Sequence, residues 1–197
     1  MVVKKIGLLG GSFDPIHIAH VNLAITALKF LFLDEVQLIP AGNPWQKGKL
    51  HASSSERIDM ISLAIKDYEN IKINNIEIER NDNNSYTIDT INAISDTNKY
   101  ILILGSDQIN NFHSWHNWKE IIKKVDLAIA KRDNNPFLLI KRIIKRIKKT
   151  NKHIHVLPLK KIHVSSSYIR ECIKKSIPVN RFLNPDVLEY IKQKNIY

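Results

Sequence analysis

Cysteine is almost missing from this chain of 197 residues: Cys172 stands alone. No intrachain disulfide can form, so a disulfide-stapled scaffold is excluded, and the expected compartment is reducing, hence cytoplasmic. Long apolar runs are missing as well. The longest, from Val21 to Leu33, is broken by Asn22, Thr26 and Lys29, which leaves it too short and too polar for a bilayer. The chain enters a strand-like run at Lys4, with no apolar stretch leading to a small-residue cleavage pattern, so no secretory signal is expected. Repeats, low-complexity segments and linker-like stretches are also lacking, and one domain over residues 1–197 is expected. With 44% hydrophobic residues the chain has the makings of a substantial core, which excludes a mainly disordered protein.

Acidic residues are scarce. There are 19 Asp and Glu against 30 Lys and Arg, a formal net charge of +11. Such an excess attracts nucleic acid, anionic lipid or a small phosphorylated substrate. A genome rich in A/T codons would raise Ile, Lys and Asn together and give the same excess without a polyanionic partner. Six of the nine residues from Lys141 to Lys149 are basic. That run reads either as a nucleic-acid contact or as the solvated face of an amphipathic helix whose isoleucines point inward.

What is present is an alternation of strand and helix patterns. Residues 5–9, 35–40, 99–104, 125–130 and 153–157 read as strands, and 71–79 as extended chain. Val21, Ala24, Ile25, Leu28 and Phe32 fall at helical spacing. So do Ile58, Ile61 and Ile65 behind Ser55 as a cap. Residues 86–94, a segment around Ile140 to Ile147, 166–174 and 185–193 read as further helices, and 41–52 as a loop. Strands separated by helices favour an α/β fold, a parallel sheet with helices on both faces.

The densest chemical signal is Gly10-Gly11-Ser12-Phe13-Asp14-Pro15-Ile16-His17-Ile18-Ala19-His20, between the first strand and the first helix. Glycines let backbone approach an anion, and amides at a helix start donate to phosphate oxygens. His17 and His20 are spaced to share one face and to aim at one phosphate group. A tight turn with two incidental histidines would look the same. No cysteine or carboxylate pair stands nearby at metal-ligand spacing, and the segment is neither a Walker loop nor the usual dinucleotide fingerprint. Downstream, Val164-Ser165-Ser166-Ser167-Tyr168-Ile169-Arg170 places hydroxyls, helix-start amides and an arginine together. It reads as a polyphosphate site or as a serine cap on an amphipathic helix. His51, His113, His116, His153, His155 and His163 show no partner pattern.

The first segment resembles the Gly-x-Phe-x-Pro-x-His-x-x-His signature of the nucleotidyltransferases related to class I aminoacyl-tRNA synthetases. Ala19 stands where their His-x-Gly-His element has glycine, which adds a methyl near the nucleotide. The second resembles their Ile-Ser-Ser-Thr-x-Ile-Arg motif. Gly105-Ser106-Asp107, Phe112 to Ile121 with Trp115 and Trp118, Ser85 to Thr90, and Ile39 to Lys47 are similar to four further segments of the nicotinate-nucleotide adenylyltransferases. Phosphopantetheine adenylyltransferases resemble shorter chains without the tryptophan region.

The resemblance implies a Rossmann-like sheet and adenylyl transfer from ATP to nicotinate mononucleotide in NAD synthesis, with Mg²⁺ carried mainly by the ATP phosphates and no protein metal site. It assigns catalysis to His17, His20, Lys47 and Arg170. It assigns ATP binding to Gly10, Gly11, Ser12, Phe13, His17, His20, Gly105, Asp107, Ser166, Ser167 and Arg170. The mononucleotide falls to Ser12, Lys47, Tyr86, Thr87 and Trp115. The chemistry is apt: an indole stacks on a flat nicotinate ring, Thr87 donates to its carboxylate, and Asp107 accepts from ribose hydroxyls. Three rivals stay open: a related adenylyltransferase using the amidated mononucleotide or phosphopantetheine, a nucleic-acid-binding protein, and a nucleotide sensor that releases no pyrophosphate. No membrane partner is expected, and a homo-oligomer is left open.

Overall fold

Apolar residues run without interruption over 6–11, 100–104 and 127–130, as expected of strands in a sheet covered on both faces. A computed structural model describes residues 2–44, 48–80, 85–95, 97–130, 138–159 and 162–197, without the side chains of 106, 107 and 138–142. The strands are β1 (Lys5–Gly11), β2 (Glu35–Pro40), β3 (Ile71–Ile73), β4 (Lys99–Leu104), β5 (Asp126–Ala130) and β6 (Ile154–Leu157). They form a 6-stranded sheet in the order β3-β2-β1-β4-β5-β6, and every pairing is parallel.

The helices are α1 (Ile18–Phe30), α2 (Ser54–Ile65), α3 (Ile76–Arg80), α4 (Thr87–Ala93), α5 (Ser106–Asn111), α6 (Trp118–Lys124), α7 (Leu138–Ile147), α8 (Ser166–Lys174) and α9 (Pro185–Gln193), with a 3₁₀ turn at Phe112–Ser114. Successive strand residues point to opposite faces, and the sheet therefore divides two cores. Leu9 and Ile103 join Ala24, Met60, Ile169 and Val187 on one face. Their neighbours Leu8 and Leu102 join Ile91, Ile109, Ile121 and Ile143 on the other. The parallel sheet with helices on both faces is as expected.

The chain runs outward from β1 through β2 to β3, then returns to lay β4 against the other side of β1. The strand order thus reverses between β1 and β4, and a crevice opens there at the carboxyl ends of the strands.

Three local expectations are corrected. Ser53, not Ser55, caps α2. Its hydroxyl accepts from the Glu56 N–H at 3.2 Å while the Glu56 carboxylate accepts from the Ser53 N–H at 2.7 Å, a reciprocal box that satisfies two orphan donors. The extended segment ends at Ile73 rather than running to Glu79. The Asn74 side chain accepts from the Ile76 N–H at 3.1 Å and turns the chain into α3, since asparagine bonds its own backbone two residues on. β1 continues past Leu9 to Gly11, because Gly10 and Gly11 stay in register with Ile39 and Pro40.

In α7, Ile143 and Ile147 are buried while Lys145, Arg146, Lys148 and Lys149 after them are exposed. That is the amphipathic-helix reading of the basic run. Among the described residues no helix is long and apolar enough to cross a membrane.

Candidate active site

Beyond Gly11 the backbone turns sharply at Phe13, whose φ is 49°. A side chain in the left-handed region is strained, and burial of the whole Phe13 ring holds it there. The ring also fixes the identity of its neighbour. A Cβ at Gly11 would lie 3.0 Å from it, so only glycine passes without displacing the aromatic ring.

His17 forms the N-cap of α1 rather than part of its first turn. Its N–H donates to His20 Nδ1 at 3.3 Å, and the two imidazoles stack with centroids 3.8 Å apart and planes 16° from parallel. The expected pairing is present, with a consequence for chemistry. With Nδ1 accepting, a neutral His20 carries its proton on Nε2, where it is a donor. The Phe13 ring stands edge-on to His20 at 5.0 Å and keeps the pair in place.

The start of α8 docks against this loop, across more than 150 residues of sequence. Arg170 Nη1 donates to the Asp14 carbonyl at 2.7 Å, Nη2 reaches Ser167 Oγ at 3.4 Å, and the Ser166 hydroxyl donates to the Pro15 carbonyl at 2.9 Å. Ser165 is the cap, accepting from the Tyr168 N–H at 3.2 Å. The two predicted phosphate segments are therefore one place in the fold. The Ser166 proton, however, is committed to Pro15, and one Arg170 nitrogen is committed to Asp14.

Asp14 is the knot of the loop and was given no role by the sequence. Its carboxylate accepts from the backbone N–H groups of His51 and Ala52 at 2.9 and 3.0 Å and from the Tyr197 hydroxyl at 2.8 Å. Arg170 Nη1 lies 3.9 Å from it. Burial opposes its charge, but these donors and the arginine together hold its pKa below the ordinary carboxylate value.

Next to this loop, a cavity of about 130 Å³ opens between β1 and β4. Gly10, Gly11, Ser12, Thr87 and Trp115 line it, five residues the sequence singled out from three separate segments. Trp115 packs against the Phe112 ring at 5.3 Å, and its indole Nε1 is buried with no hydrogen-bond partner among the described residues. A buried donor of that kind is costly unless something supplies an acceptor. Tyr86, the N-cap of α4 just before Thr87, packs against His116 with ring centroids 4.5 Å apart and planes tilted by 30°. Trp118 packs on the core beside Phe112.

Glu77, Ser85, Thr90 and Gln108 also line the cavity; none of them was given a role from the sequence, although Ser85 and Thr90 bound one of its motifs. Burial pushes the Glu77 carboxyl up in pKa, against the pull of hydrogen bonds from Thr90, Ser85 and Gly42; the Thr90 hydroxyl donates at 2.7 Å. The loop after β2 is stitched to Ser85, whose N–H donates to the Asn43 carbonyl and whose Oγ accepts from the Asn43 N–H, both at 2.9 Å. A Cβ at Gly42 would lie 2.3 Å from the Glu77 carbonyl oxygen, so this seam closes only on glycine. Gly105 ends β4 and caps α5, and its N–H donates to Gln108 Oε1 at 3.1 Å. Lys47 and the Asp107 side chain lie outside the described residues.

The chain matches the cytidylyltransferase-like family over residues 8–172. It is 40% identical over 195 residues to a protein of Bordetella avium (strain 197N) named "Probable nicotinate-nucleotide adenylyltransferase", covering 99% of this chain and 98% of that one. A protein of the same name from Clostridium perfringens (strain 13 / Type A) is 40% identical over 202 residues, with 99% and 98% covered. The solved structure of Plasmodium falciparum nicotinic acid mononucleotide adenylyltransferase complexed with NaAD superposes with a TM-score of 0.78 at 21% identity, over 98% of this chain and 96% of that one. At that identity the likeness carries the fold, while the full-length 40% relatives carry the family. The chain belongs to the cytidylyltransferase-like family and, within it, to the nicotinate-nucleotide adenylyltransferases.

Proposed function

We propose that this chain transfers the adenylyl group of ATP to the phosphate of nicotinate mononucleotide, releasing pyrophosphate and forming nicotinate adenine dinucleotide. The observation that carries the reading is the junction at the β1/β4 switch. A phosphate-type loop bearing stacked histidines adjoins a cavity lined by a threonine and by a tryptophan whose buried N–H has no partner among the described residues.

An oxygen of the mononucleotide phosphate attacks the α-phosphorus in line. The P–O bond to the β-phosphate breaks, and its electrons leave with pyrophosphate. A phosphate is ionised at neutral pH, so no side chain has to remove a proton. The protein's work is positioning and the stabilisation of charge on the leaving side. In this reading the His20 Nε2–H and His17 donate to the triphosphate, and the amides of Ser12 and Phe13 cradle it. Arg170 and the α8 start meet the β- and γ-phosphates, and Lys47 screens the converging charges. Gly105 and Asp107 at the α5 start take the ATP ribose.

Trp115, Thr87, Tyr86 and Ser12 hold the mononucleotide, with the ring against the indole. Among the described residues no three His, Cys, Asp or Glu side chains form a metal-ion set. In this reading Mg²⁺ is carried by the phosphate oxygens and water, where it would neutralise charge.

The test is pyrophosphate release with ATP and Mg²⁺, comparing nicotinate mononucleotide with its amide. Release favouring the acid at least tenfold is expected. Equal release with both would reassign the enzyme to dual specificity, and release with neither would overturn the reading.

A further inference from the structure

Arg57 is among the most buried side chains of the protein, 1% exposed, although arginine is rarely interior unless paired. It projects from the first turn of α2 beneath the β1–α1 loop. Nη1 donates to the Ser12 carbonyl at 3.0 Å, Nη2 donates to Ser54 Oγ at 3.1 Å, and Nε has no partner among the described residues. Burial pushes its pKa down, while the nearby Asp14 carboxylate opposes that shift. A buried cation is expensive, and a neutral residue of similar volume would fill this space more cheaply. Packing alone therefore does not explain an arginine here.

The geometry of the peptide it grips does. In a trans peptide the carbonyl and the N–H of the next residue point in opposite directions. Arg57 pulls the Ser12 oxygen toward the core, so the Phe13 N–H is turned away from it. Phe13 itself is wholly buried, and among the described residues its N–H has no hydrogen-bond partner. Ser12 lines the cavity, so the donor lies beside the site, turned away from the guanidinium.

Resting on the adenylyl-transfer reading above, we infer that Arg57 is a positioning residue of the phosphate cradle: it locks the Ser12–Phe13 peptide with the Phe13 N–H presented to the triphosphate. The planar fork spans the Ser12 carbonyl and Ser54 at once, which fixes the direction of pull. A lysine at the same position brings one point of contact and no such direction.

The test uses the full chain as wild type, Arg57→Lys and Ser54→Ala. Inorganic pyrophosphate is the probe, read by the ¹⁵N–¹H resonance of Phe13. Thermal unfolding, and KM and kcat for ATP, are measured alongside. In the wild type the Phe13 amide should shift on saturation with pyrophosphate. Arg57→Lys should lower pyrophosphate affinity at least tenfold and abolish that shift, leaving the response of Trp115 fluorescence to nicotinate mononucleotide unchanged. Ser54→Ala, which spares the Ser12 contact, should cost less than threefold.

Wild-type affinity within twofold in Arg57→Lys, with the Phe13 shift intact, overturns the role. So does a wild type that binds pyrophosphate without moving Phe13, and this last measurement decides the matter even where the lysine variant does not fold. A chain that transfers adenylyl groups while its Phe13 amide stays still loses this role and keeps its activity. One that neither binds nor releases pyrophosphate overturns both.

Discussion

At the scale of single residues, the site rests on donors whose direction is fixed by a neighbour. His20 is the clearest case, because the His17 N–H occupies its Nδ1 and puts the proton of the neutral ring on Nε2. His20→Ala should reduce turnover by two or more orders of magnitude, about 2.7 kcal/mol of barrier, with the unfolding temperature within a few degrees of wild type. Steady-state kinetics and calorimetry on the same preparation check both halves, and near wild-type turnover would remove His20 from the chemistry. Trp115→Ala should raise the apparent KM for the mononucleotide far more than that for ATP; equal effects would make Trp115 a core residue.

Glu77 gives a pH signature. Its folded pKa is raised by burial, so its contribution to stability is fully present below the ordinary glutamate value and is lost as pH rises through the folded value. Glu77→Gln should therefore gain on the wild type in unfolding temperature between pH 4 and pH 8. A difference that does not move with pH would show that the carboxyl is not held protonated.

At the scale of elements, short side-chain decisions set where segments begin and which of them touch. Asn74 ends β3 and starts α3, bringing Glu77 under the loop after β2. The seam between that loop and Ser85 then closes over Gly42, where an added methyl group would lie 2.3 Å from the Glu77 carbonyl oxygen. Gly42→Ala should destabilise the protein by about 1–3 kcal/mol, as overpacking does, and should weaken the mononucleotide as the cavity wall shifts. Urea unfolding and substrate titration measure the two, and a variant with wild-type stability would mean the seam yields freely.

At the scale of the whole molecule, part of the +11 charge lies on α7, away from the cavity lining. Lys145, Arg146, Lys148 and Lys149 follow the buried turn of α7 on the outside, at positions the mechanism does not use. Reversing Lys145 and Lys148 to glutamate should leave turnover within twofold and stability within about 0.5 kcal/mol. It should also weaken any adherence to duplex DNA in low salt. A loss of turnover on charge reversal would tie this helix to catalysis.

Strand and helix alternation and the two phosphate-type segments were legible in the sequence because each is a local matter, while Thr87 and Trp115 were singled out through a resemblance. Periodicity fixes which face of an element is apolar, and a glycine-rich turn before a helix makes anion donors wherever it occurs. What could not be read locally was direction and company. Arg57 looks like any surface arginine of an amphipathic helix until α2 packs under the β1–α1 loop and leaves it 1% exposed. Asp14 looks like a turn residue until His51, Ala52, Arg170 and Tyr197 arrive from distant segments. Glu77 looks like half of an alternating strand until Asn74 breaks that strand. Sequence determined the elements and the residue types able to bind a nucleotide; long-range packing alone decided which buried charges meet, because burial and pairing are properties of the assembled fold.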